Sequence, residues 1–103
     1  MIHDPDQYVS MRRLWHSVML NVFRDLCITG ESAAAHNARS MAARWVGTYP
    51  TSDFKLVCEL CGVDAETTHM RMREIILMSD FERKEWWHEH GFLIRISGEE
   101  NND

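Results

Sequence analysis

"CELCGVDAETTHMRMREI", residues 58 to 75, decides how the chain folds. It holds a Cys-x-x-Cys pair, Cys58 and Cys61, then His69 and an arginine at every second position, Arg71 and Arg73. Three structures suit such a stretch: a metal knuckle, a dithiol redox motif, or a corner between two helices of which the second meets DNA. The corner reading accounts for the most residues. "FKLVCELC" forms a short helix that Gly62 stops, and Asp64 caps a second helix running to about Met78. A helix-turn-helix needs this arrangement, with a small residue four positions before the glycine so that the helices approach closely, and Cys58 supplies it. Val57, Cys61, Val63, Thr68 and Met72 are then expected to point into the corner. Asp64, Ala65, Glu66, His69, Met70 and Arg73 are expected to face outward. Thr68 stands where an aliphatic residue is usual and Arg71 where a small apolar one is usual.

The rival readings of the cysteines explain less. Thiolate and imidazole ligands at short spacing suit tetrahedral zinc, so Cys58 and Cys61 would need His88 and His90 to complete a site. Histidines two apart on a helix point in different directions, so both could bind one ion only if the helix has already ended. The plainer reading makes the cysteines small apolar residues in a closely packed helix, with no metal bound. A thioredoxin-like role requires alternating strands and helices, and no such pattern surrounds Cys58.

Outward from this stretch the helical pattern continues. Upstream, Asp4 is a candidate N-cap with Pro5 at the first helical position. Tyr8, Met11, Leu14, Trp15, Val18, Met19, Val22, Phe23 and Leu26 then recur at three-four spacing, predicting one long amphipathic helix that ends near Gly30. "ESAAAHNARSMAARWVG", residues 31 to 47, predicts a second helix with Ala34, Ala38, Met41, Ala42 and Trp45 on one face and Arg39 and Arg44 off it. Ser52 and Asp53 are cap candidates for the short helix. Downstream, Ser79 or Asp80 caps a last helix through "FERKEWWHEH"; beyond Gly91, "FLIRI" alternates weakly and suits a short strand or a docking arm. The expected architecture is all-α, four to five helices with an embedded helix-turn-helix, in a single helical domain over residues 1–98 followed by a disordered acidic tail over 99–103.

Composition bounds the function. The chain has 103 residues, 45% apolar and 26% charged, which is an ordinary globular mix too small for a core plus a roomy catalytic cleft. No signal-peptide pattern or membrane-length apolar run occurs, and three cysteines are an odd number for a disulfide scaffold, so a cytoplasmic protein with reduced thiols and no membrane partner is expected. The net charge of -5 argues against indiscriminate polyanion binding, but the acidity sits at the ends, and residues 11 to 98 balance to zero. No nucleophile, base and orienting group form a recognisable motif, and no glycine-rich phosphate loop is present; no enzyme activity and no cofactor are expected.

The helix after Gly62 is the best candidate for contact with double-stranded DNA. Arg71 and Arg73 can reach phosphates or a guanine edge, His69 can donate to a phosphate or base, and Glu66 can accept from a cytosine amino group, with Met70 on the same face. Lys55 near the start of the short helix and Arg39 and Arg44 on the second helix are candidates for positioning the backbone. The plainer reading of that face is a solvated surface laced with intrahelical pairs such as Glu66 with Arg73. "EWWHEHGF" supplies a candidate protein interface, Trp86, Trp87 and Phe92, serving a homodimer or a host protein. Two adjacent tryptophans point about 100° apart on a helix, so one is expected to close the core while the other is partly exposed.

"LWHSVMLNVFRDL" followed by "ARSMAARWVGTYPTSDFKLVCELCGVDAETTHMRMR" resembles small proteins of bacterial phages and prophages, especially those of Alphaproteobacteria. The likeness spans roughly residues 14 to 73 and rests on Trp15, Val18, Asp25, Leu26, Trp45, Phe54, Val57, Cys58, Glu59, Gly62 and Asp64. It departs after Asp64, with Ala65 where proline is common and His69 where arginine is common. The resemblance implies a helix-turn-helix transcriptional regulator, expected to dock the helix after Gly62 in a major groove; a single copy would bind weakly, so a dimer or a larger partner is expected. The competing expectation is a protein-binding phage effector that seizes a host factor such as RNA polymerase, a nuclease or a defence component.

Overall fold

The structure is a computed structural model that describes the backbone of residues 5–100 and the side chains of residues 11–91. The Asp4 cap, the side chain of Phe92 and residues 101–103 of the acidic tail lie outside the described residues. Five helices follow one another: α1 (Pro5–Cys27), α2 (Ala33–Val46), α3 (Ser52–Cys61), α4 (Ala65–Ile76) and α5 (Asp80–Glu100). No strand occurs among the described residues, and the backbone of "FLIRI" belongs to α5. Every other element is a helix, so a strand there would have no edge to pair with. None of these helices is long and apolar enough to cross a membrane.

Local chemistry sets most of the helix ends. The Ser32 hydroxyl accepts from the Ala35 amide at 3.1 Å and starts α2; the Thr51 hydroxyl accepts from the Phe54 amide at 3.1 Å and starts α3. Thr51, not Ser52 or Asp53, is therefore the cap, and Asp53 sits in the first turn where a negative charge suits the helix dipole. Helix α1 stops at Cys27, one residue past the last member of its apolar pattern and short of the expected end near Gly30. The Ile28 carbonyl beyond it accepts instead from Arg39 Nη1 of α2, at 2.9 Å. Before α5, the Ser79 amide donates to Glu82 Oε1 at 3.0 Å and the Glu82 amide donates to Ser79 Oγ at 3.2 Å, a reciprocal capping box that holds the Glu82 carboxyl below its usual pKa.

Helix α1 is the hub, in contact with each of the other four. Its Met19, Phe23, Leu26 and Cys27 are buried against Ala42 and Val46 of α2, Phe54, Cys58 and Cys61 of α3, and Met72 and Ile75 of α4. Phe54 is fully buried, with the Trp45 ring 5.2 Å away and tilted at 44°. The buried face of α2 is Ala35, Ala42 and Val46, rotated from the expected one: Ala34 is exposed and Met41 is 69% exposed. Helix α5 covers α1 through Trp86, whose ring stacks on Phe23 at 5.6 Å and 11°. At Gly91 a Cβ would lie 2.9 Å from the Trp87 ring of the preceding turn, so a side chain there would force that ring to shift.

Candidate nucleic-acid interface

The corner between α3 and α4 is made by a glycine that backbone geometry demands. Gly62 is left-handed at φ 76°, its amide donates to the Glu59 carbonyl at 3.1 Å, and the Val63 amide donates to the Cys58 carbonyl at 3.0 Å. These are the two bonds of a Schellman motif, which ends a helix and turns the chain within one residue. A side chain at Gly62 would collide with the Arg12 guanidinium of α1. Asp64 then starts α4: its Oδ2 accepts from the Thr67 hydroxyl at 2.7 Å and from the Thr67 amide at 2.9 Å. Those two bonds hold the Asp64 carboxyl below its usual pKa, the hydroxyl contributing most.

Inside the corner, Cys61 and Met72 are buried and Val57, Val63 and Thr68 half-buried, as the two-helix geometry predicts. Cys58 and Cys61 are free, buried thiols, and Cys61 Sγ donates to the Trp15 carbonyl at 3.1 Å. Burial pushes both thiols up to about 11; the Thr68 hydroxyl opposes the shift at Cys58. Neutral thiols of this kind pack as small apolar groups and are poor metal ligands or nucleophiles. His88 is exposed, and His90 Nδ1 lies 3.0 Å from the Trp86 carbonyl. Among the described residues no cluster of three or more His, Cys, Asp or Glu gathers in a way that could hold a metal ion.

His69 corrects the expected outward placement. Its ring is buried, with Nε2 3.2 Å from the Val46 carbonyl and 3.1 Å from the Gly47 carbonyl, and it meets Phe54 edge-on at 5.2 Å and 89°. Both partners are acceptors, so Nε2 carries the proton and donates. The physical reason is that α4 packs on α2 as well as on α3. The side of α4 that a two-helix corner would leave open here ties off the last carbonyls of α2.

The face of α4 that does meet solvent comprises Glu66, Thr67, Met70, Arg71 and Glu74, with Arg73 half-buried at its edge. Thr67 and Glu74 are its members that sequence periodicity left out. Arg83 pairs with Asp80 at 3.0 Å, and among the described residues no ion pair or hydrogen bond engages the guanidinium of Arg71 or Arg73. The intrahelical Glu66–Arg73 pairing is therefore not formed. Lys55, in the first turn of α3, and Arg44, in the last turn of α2, are likewise exposed and have no partner among the described residues. They sit on two of the three helices against which α4 packs.

At the expected protein interface, Trp86 and Trp87 are both half-buried and packed on the core. Trp86 lies between Phe23 and the His90 ring, the latter 4.6 Å away at 20°. The exposed apolar side chains nearby in sequence are Leu77, 78% exposed, and Phe81, 73% exposed. Neither stood out in the sequence, because no periodic pattern distinguishes an apolar residue at a helix junction from one in the core.

Comparison of the chain with family models, with curated proteins and with solved structures returns no match.

Proposed function

We propose that the protein is a small DNA-binding transcriptional regulator of helix-turn-helix type, in which α3 braces the turn at Gly62 and α4 enters a major groove. The observation that carries this reading is the division of α4 into an anchored inner side and an outer side whose Arg71 has no partner among the described residues. Arg71 contacts a phosphate or the guanine edge, Arg73 a phosphate at the groove margin, Glu66 a cytosine amino group, and Met70 an apolar base edge. Lys55 and Arg44 hold the flanking backbone. His69 plays no part in contact, since its ring is spent on α2. The outer face carries about as much negative as positive charge, so electrostatics alone would bind DNA weakly, and a homodimer reading two half-sites is the working form. The attribution to small phage or prophage regulators acting in the host cytoplasm rests on the sequence likeness alone.

A second reading, the protein-binding effector directed at a host factor such as RNA polymerase, is favoured by the exposure of Leu77 and Phe81 and by the net charge of -5. A gel-shift titration on the DNA flanking the protein's own gene, with an unrelated duplex as competitor and salt raised in steps, separates the two. The regulator gives a shift that survives competitor and weakens with salt. Arg71→Ala then costs about 1–3 kcal/mol of binding and relaxes specificity if it reads a base, and Arg73→Ala lowers the salt slope by about 1 if it holds a phosphate. The absence of any shift at low salt with micromolar protein sinks the regulator and leaves the effector.

A further inference from the structure

A cleft of about 270 Å³ opens between the C-terminal end of α1 and the first half of α5, lined by Arg24, Cys27, Ile28, Thr29, Lys84 and Trp87. It lies apart from the face of α4 described above. Two cations from different helices meet at it, and no carboxylate is among its lining residues. Arg24 Nη2 donates to the neutral Asn21 Oδ1 at 2.8 Å, and Lys84 has no partner among the described residues. The nearby carboxylates with assigned partners are turned to other work: Asp80 pairs with Arg83 and accepts from the Gly30 amide, and Glu82 caps Ser79. The Cys27 thiol in the floor is buried and neutral, its pKa raised by desolvation, so it adds no negative charge.

The dimensions and the wall define what fits. An apolar cavity of about 150 Å³ holds one benzene ring. This cleft therefore takes a ring and one polar substituent, and it falls below the roughly 300–1,000 Å³ of sites for larger ligands. Trp87 offers an indole for the ring to stack or pack edge-on against, with Ile28 beside it. A lining that joins two cations to an indole and an aliphatic side chain is complementary to a molecule that is flat and apolar at one end and anionic at the other.

We infer that this cleft binds a small aromatic monocarboxylate, its ring against Trp87 and its carboxylate between Arg24 and Lys84. The open mouth leaves the charges hydrated, so affinity is modest, with Kd on the order of millimolar for phenylacetate. The test is a titration of the full chain followed by the tryptophan indole N–H resonances in two-dimensional NMR, with the Trp87 signal identified by its loss in Trp87→Phe. Phenylacetate is expected to shift the Trp87 signal saturably while leaving Trp45 in place. Phenylacetamide, which has the ring without the charge, binds about 5-fold more weakly, and acetate, which has the charge without the ring, gives no shift at the same concentration. Lys84→Ala and Arg24→Ala, both at exposed positions that the fold does not need, each weaken phenylacetate about 3-fold at low salt. No saturable shift up to about 20 mM phenylacetate overturns the inference. So does equal binding of the amide, an equal response to acetate, or a Kd that both cation variants leave unchanged.

Discussion

The inner face of α4 presents His69, Met72 and Ile75 to the core, whereas the outer face presents Glu66, Thr67, Met70, Arg71 and Glu74 to solvent. Both faces carry polar side chains able to donate hydrogen bonds, and their fates differ. The His69 Nε2–H is used up on two backbone carbonyls at the end of α2; the Arg71 guanidinium has no hydrogen-bond or ion-pair partner among the described residues. A donor surrounded by the protein's own carbonyls stabilises the fold, and a donor left to water is available for a ligand at no structural cost. The contrast thus separates residues that hold the candidate reading helix from residues that act through it.

Substitutions should respect that division, and the largest effect belongs to the inner face. Met72→Ala removes a fully buried side chain and is expected to cost about 2–5 kcal/mol of stability, read as a lower urea midpoint with an unchanged slope. A loss below about 0.5 kcal/mol would mean that the packing of α4 on the core is not as described. His69→Ala leaves the Val46 and Gly47 carbonyls short of a donor and is expected to cost about 1–3 kcal/mol. Its DNA affinity, measured per folded molecule, should stay at the parent value. If it falls by tenfold while the folded fraction does not change, His69 acts at the surface after all.

The buried thiols extend the comparison to pH. Cys27, Cys58 and Cys61 are each raised from an ordinary value of 9.0 to about 11, chiefly by burial. The folded state therefore holds its thiol protons more tightly than the unfolded chain. The stability this provides is complete below pH 9 and is lost as pH rises toward 11, because the unfolded chain ionises first. Urea midpoints followed upward from neutral pH should fall across that window, and replacing Cys58 with Ala should flatten the fall. The smallest effect is expected at the outer face: Arg71→Ala and Arg73→Ala together should change stability by no more than about 0.5 kcal/mol. A larger loss in chemical denaturation would show that these arginines are structural.

Much of this arrangement is legible along the chain wherever a few neighbouring residues suffice. The break at Gly62, the Asp64 cap and the Ser79 cap all involve partners within about one helical turn, so the residue types carry the geometry with them. The face of α2 is harder to read. The run Ala33 to Ala35 with Ala38, Ala42 and Ala43 puts small residues on every side, so the buried Ala35–Ala42–Val46 and the expected Ala34, Ala38, Met41, Ala42 and Trp45 are comparably regular patterns that share Ala42. Only contact with α1 and α4 selects between them, and it turns Met41 outward.

His69 and the tryptophan pair were illegible for a related reason. His69 reaches acceptors 23 and 22 positions away in sequence, and Trp86 stacks on a ring of α1. No local pattern marks such partners. What the amino-acid order determines alone is therefore an all-helical chain with its corner at Gly62, since helix starts and stops are short-range hydrogen-bond problems. Tertiary structure decides which side of each helix is buried, whether a histidine is a brace or a contact, and where unpaired cations gather around a cleft. Those outcomes depend on which backbone and side chains from distant segments arrive beside a residue, and desolvation acts only once they have arrived.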